Sequence, residues 1–123
     1  MRKLWCEFTT QIGKLKVYIL KDESVLGNDG QECQGTFNPD ANVIEIAFCT
    51  NAMRMYQTLH HELLHVCFTG HGCDFKEKLF GKDADKREEY FISFIEPIQF
   101  DLMVRNKLLN YPAIPKIFWK HLR

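Results

Sequence analysis

The sequence predicts an α+β domain in which a small antiparallel or mixed sheet precedes two long helices. Three observations carry this. Strand-forming runs occupy residues 15–20 and 43–48, helical periodicity sets in only after residue 50, and 123 residues support one modest hydrophobic core. Residues 1–123 are therefore read as a single domain.

Residues 15–20 read Leu-Lys-Val-Tyr-Ile-Leu, rich in types that fit a pleated surface. Residues 22–36 are polar, and Asp29-Gly30 marks a turn within them. A short strand is expected over 34–37, a turn at Asn38-Pro39-Asp40, and a further strand over 43–48. Thr50 or Asn51 caps the first helix, since a short polar side chain can accept from the N–H groups that a helix start leaves unpaired. Ala52, Met55, Leu59, Leu63 and Val66 then recur at steps of three or four, which defines one helical face. Gly70 is expected just past the end of this helix, and a short helix over 75–80. The second long helix opens near 83–85. Its expected inward stripe is Glu88, Phe91, Ile92, Ile95, Ile98 and Leu102, with a kink or restart at Pro97. The tail after Asn110 carries Pro112 and Pro115 and is expected to be irregular before residues 117–122.

Lys plus Arg and Asp plus Glu balance at 16 each, so no net field draws the chain to nucleic acid or to an anionic membrane, and neither is expected as a partner. No apolar run is long enough to span a bilayer, and no signal-peptide core follows the charged start Met1-Arg2-Lys3. The five cysteines are odd in number and form no CxxC pair. Free structural thiols in a reducing, cytoplasmic compartment are the expectation.

The chemistry concentrates in His61-Glu62-Leu63-Leu64-His65. On a helix, positions i and i+4 share a face, so His61 and His65 project side by side and can hold one metal ion, while Glu62 beside them can reach a water on that ion. This HExxH spacing points to Zn²⁺ held by two imidazoles, with Glu62 as the general base. A zinc hydrolase needs a third protein ligand and an open fourth position. Glu88 and its neighbour Glu89 open the second long helix, where a carboxylate on the inward stripe is costly unless paired or metal-bound. The acidic pair equally suits the positive end of a helix. His71, beyond Gly70, is the rival third ligand, although Phe68 stands where a metzincin pattern would have a glycine. His60 points away from the pair and reads as a polar support. Glu96 reads either as a support for a ligand histidine or as a surface ion pair or cap. Tyr90, Tyr111, His71 and Arg105 are the available donors for a transition-state oxyanion.

The segment Thr58-Leu59-His60-His61-Glu62-Leu63-Leu64-His65-Val66 resembles the core helix of small HExxH zincins, which include ImmA/IrrE-like and related peptidase domains often encoded by phages and bacteria. In such minimal gluzincin-like domains a glutamate of a following helix completes the metal site. Lys86-Arg87-Glu88-Glu89-Tyr90-Phe91-Ile92 looks like that segment. The resemblance covers roughly residues 43–105 and implies a zincin-like fold. It also implies zinc ligation by His61, His65 and Glu88, catalysis by Glu62, and a sheet edge over 43–48 beside the cleft, where a peptide could add as a strand. Gly70-His71-Gly72-Cys73-Asp74-Phe75 is in turn similar to the segment that supplies a third histidine in SprT-like and Spartan-like proteases.

The expectation is a monomeric zinc metalloendopeptidase acting on a protein or peptide, in a host cytoplasm should a virus encode it. The alternative class is a non-catalytic, zinc-bound peptidase-like domain that binds a partner protein. A closed structural zinc site that includes His71 or Cys73 is a third reading.

Overall fold

The structure, a computed structural model, describes residues 2–10, 13–21, 25–26, 32–70 and 73–119. It is a mixed α+β arrangement. Strands β1 (Arg2–Thr10), β2 (Gly13–Leu20), β3 (Val25–Leu26), β4 (Glu32–Cys33), β5 (Gly35–Asn38) and β6 (Val43–Ala47) come first. Helices α1 (Ala52–Gly70), α2 (Cys73–Phe80), α3 (Ala84–Arg105) and α4 (Lys116–Trp119) follow. The principal sheet has the order β1-β2-β6-β5, with β2 and β6 parallel and the outer pairs antiparallel. β3 and β4 form a separate two-stranded ribbon, and the turn expected at Asp29-Gly30 between them lies outside the described residues.

Strand β1 was not anticipated from the sequence. Its register shifts between Leu4 and Cys6, which turns Trp5 into the core and spoils the alternation a reader would look for. Trp5 donates its indole N–H to the Pro112 carbonyl at 3.1 Å, so the first strand and the irregular tail are fastened together. Gly13, at φ +108°, makes the tight return into β2 that a residue with a Cβ would resist.

Leu15, Val17 and Ile19 of β2 alternate onto one face of the sheet with Ile44 and Ile46 of β6 and Phe37 of β5. Met55, Leu59 and Val66 of α1 pack on that face, as the helical periodicity predicts, and Ile114 and Phe118 close the cluster. The opposite face is polar: Arg2 lies over the Tyr18 ring and reaches Glu45 at 3.3 Å. The resemblance implied a sheet edge over residues 43–48. In the structure β6 has β2 on one side and β5 on the other, so β5 is the edge and no peptide can add along β6.

Asn51 caps α1, its side-chain oxygen accepting the Arg54 N–H at 3.2 Å. The helix includes Gly70 as its last residue, one position further than expected. Helix α3 runs unbroken through Pro97, with no restart. Its inward face differs from the expected stripe. Ala84, Glu88, Ile92, Glu96 and Phe100 are buried, whereas Phe91, Ile98 and Leu102 are exposed, Ile98 to 73%. Apolar and polar residues are scattered round the helix without a dominant apolar face, so periodicity alone could not choose the side that docks on α1. No helix among the described residues is long and apolar enough to cross a membrane.

Candidate metal centre

Helices α1 and α3 pack together and bring the motif against the opening turns of α3. His61 and His65 stack one turn apart with ring centroids 5.3 Å from each other. Glu89 spans them: its Oε1 lies 3.0 Å from His61 Nε2 and its Oε2 lies 2.6 Å from His65 Nε2. One ligand atom from each of His61, His65 and Glu89 falls within 4.8 Å of the others. Three ligands of a tetrahedral zinc stand about 3.4 Å apart, given metal–ligand distances of about 2.1 Å, so small side-chain adjustments would seat the ion. Two imidazoles and one carboxylate are a donor set suited to zinc.

Glu88, which the sequence put forward as the third ligand, occupies a different place. Its Oε2 meets Nδ1 of His65 at 2.5 Å, on the far side of the ring from Glu89. One imidazole cannot offer both nitrogens to a single ion. Glu89 therefore completes the triangle, and Glu88 holds the other nitrogen of the ring. Adjacent helical residues point about 100° apart, and only the rotation of α3 on α1 decides which faces the ion. Ser93 Oγ, one turn on from Glu89, donates to Glu89 Oε1 at 3.3 Å and helps to fix it. His71 lies outside the described residues.

The charges in this cluster answer to one another. Burial disfavours a charged His65, but its hydrogen bonds to Glu88 and Glu89 outweigh that and lift its pKa to about 9. Burial likewise pulls His61 down while Glu89 pushes it up, and the net shift is upward. The two histidines in turn hold the Glu89 carboxyl well below the usual carboxylate range. Carboxylates that retain a proton on His65 this firmly would also favour a dication in its place. Glu62 is 7% exposed, and its burial raises its pKa although His65 and His61 work against the rise. A carboxylate shifted upward is a better proton acceptor near neutral pH.

A cleft of about 330 Å³ opens beside the triangle, lined by His61, Glu62 and Glu89 and continued by Gln34, Gly35, Arg54, Gln57, Thr58 and Glu96. Gly35 brings the strand close against α1. A Cβ at that position would lie 2.7 Å from Thr58 Cγ2 and 3.5 Å from Glu62 Cγ. The polar cleft residues outside the motif were missed in the sequence as a group, although Gly35 within the expected strand over 34–37 was a usable sign of close backbone approach.

The remaining expectations divide. His60 is buried and engaged away from the triangle: Nε2–H donates to Gln99 Oε1 at 3.0 Å, and Nδ1 accepts the Tyr111 hydroxyl at 2.8 Å. Tyr111 is thereby committed, and burial pushes its pKa up to about 12. Tyr90 is exposed outside the cleft, and Arg105 is paired with Asp101 at 2.8 Å. None of these three is placed as an oxyanion donor. Glu96 is neither a support for a ligand histidine nor a surface ion pair; it is a buried residue of the cleft. Cys6, Cys49 and Cys67 are free thiols, and burial raises the pKa of Cys6 to about 11, which makes it inert. The chain matches no protein-family model, no curated protein and no solved structure, so its chemistry has to be read from this donor set and the cleft beside it.

Proposed function

We propose that this chain is a zinc-dependent metallopeptidase of the zincin type, with His61, His65 and Glu89 as metal ligands and Glu62 as general base. The observation that carries the reading is the convergence of two imidazoles and a carboxylate from two helices, with a buried glutamate and a cleft beside them. When bound, zinc would supply a Lewis acid that lowers the pKa of water to about 7 and polarises a peptide carbonyl. The residues of the chain do the rest. Glu62 accepts the proton of the attacking water and returns it to the leaving amine. Glu88 holds the His65 ring in place, and Glu89 keeps the negative charge that a dication requires. The cleft admits an extended peptide beside Glu62.

Metal content by mass spectrometry, together with a peptide-cleavage assay, tests this reading. Wild type should carry one zinc per chain, His61→Ala should carry none, and Glu62→Gln should retain zinc while losing hydrolysis. Equal zinc in His61→Ala would refute the ligand assignment, and full cleavage by Glu62→Gln would remove Glu62 from the chemistry. One observation favours a second reading, a zinc-bound domain that docks a partner without turnover: Tyr90, Phe94, Ile98 and Leu102 form an exposed apolar line along α3. Zinc binding with no cleavage of a diverse peptide library would select it.

A further inference from the structure

The cleft extends past the catalytic triangle to a carboxylate that the peptidase chemistry does not use. Glu96 stands seven residues beyond Glu89 on α3, two turns or about 10 Å along the axis. It is 4% exposed and lines the same cleft as His61 and Glu62. Its Oε2 accepts only one long hydrogen bond, from Gln57 Nε2 at 3.5 Å, and its Oε1 is buried with no partner among the described residues. A carboxylate withdrawn from water and left half satisfied is costly, and a cation that completes it removes that cost. The neighbouring Arg54 is exposed on the cleft wall and makes no ion pair with Glu96.

We infer that Glu96 is a specificity residue that binds a cationic group of the peptide substrate, an ammonium or a guanidinium, in a subsite beside the metal centre. The inference rests on the peptidase reading. An extended peptide advances about 3.4 Å per residue and a lysine side chain reaches about 6 Å, so a basic side chain within about three residues of the scissile bond arrives at Glu96. A substrate's amino terminus offers the same chemistry and is the other possible source.

Peptide binding to zinc-loaded Glu62→Gln, followed by fluorescence anisotropy, reads the subsite without turnover. The probes are a series of peptides with lysine at each position in turn, their acetyl-lysine counterparts, and a neutral peptide with its amino terminus free or acetylated. At one position lysine should bind about tenfold or more tighter than acetyl-lysine, the usual gain for a charge-assisted hydrogen bond. If the amino terminus is the source, the same gain appears between the free and the acetylated neutral peptide. Adding Glu96→Gln should bring the ratio close to one. A ratio near one already in the Glu62→Gln parent, or a ratio that Glu96→Gln leaves unchanged, overturns the inference while the peptidase reading stands. The parent ratio decides the matter even if the Glu96 variant does not fold. A preference that appears only after Arg54→Ala shows that Arg54 is the natural occupant and also overturns it. No binding of any peptide defeats the peptidase reading and this inference together.

Discussion

The two faces of α3 make opposite use of their residues. The inward face buries two carboxylates, Glu88 and Glu96, between Ala84, Ile92 and Phe100. The outward face exposes Tyr90, Phe94, Ile98 and Leu102. A reading by hydrophobicity alone would turn the helix round. What holds it this way is the chemistry of α1: His65 meets one oxygen of Glu88, His61 and His65 engage Glu89, and Ile92, one turn beyond Glu88, is fully buried. An interior carboxylate is tolerable where a cation or a strong donor meets it. The site therefore dictates the orientation of the helix.

Breaking the inward face at its edge should have the largest effect. On the proposed ligand set, Glu89→Ala should lower zinc affinity by about a thousandfold or more, since only two protein ligands would remain; a chelator-competition titration measures it. Retention of wild-type affinity would return the third-ligand role to Glu88. Ile92→Ala should cost about 2–5 kcal/mol of folding stability in urea denaturation, because that side chain is fully buried, whereas Ile98→Ala should change it by less than about 0.5 kcal/mol. Equal costs at the two positions would mean that α3 docks by another face. Glu88→Gln should weaken zinc binding by about 10–100-fold, the usual effect of losing a carboxylate behind a ligand histidine, and so remain milder than Glu89→Ala.

The smallest effect concerns pH. Chelator-treated protein holds His65 with its pKa raised from 6.5 to about 9. The stability this contributes is fully present below pH 6.5 and is lost as the pH rises through about 9. The melting temperature of the metal-free protein should therefore fall by several degrees over that interval. Zinc-loaded protein should not show the fall, because the ion replaces the proton. A flat profile without metal would mean that the contact between Glu88 and His65 is not an ion pair.

Much of this was legible in the sequence, for reasons that also explain the gaps. Helix α1 could be read because its apolar positions keep one face and Asn51 announces its start. The motif could be read because chemistry fixes both residue types and spacing. β2 and β6 showed as strands, but their order in the sheet did not, since nothing local records that β5 takes the edge. β1 was hidden by the shift at Trp5. Glu88 and Glu89 could not be separated, because neighbours in a sequence differ only by a rotation that long-range packing sets. The cleft lay beyond reach for the same reason: Gln34 and Gly35 come from a loop and a strand, Arg54, Gln57 and Thr58 from one helix, and Glu96 from another.

Gly35 carries a consequence for how this centre could change over generations. Its single hydrogen leaves the floor on which Thr58 and Glu62 rest, with 2.7 Å between an added Cβ and Thr58 Cγ2. A larger residue must displace the Thr58 methyl, and because Thr58 and Glu62 share one face of α1 the shift would reach Glu62 while Glu89, on α3, stays behind. On the proposed chemistry, the placing of Glu62 relative to Glu89 thus depends in part on an atom outside the site itself. Drift at that position should be far more restricted than its place in a short edge strand suggests.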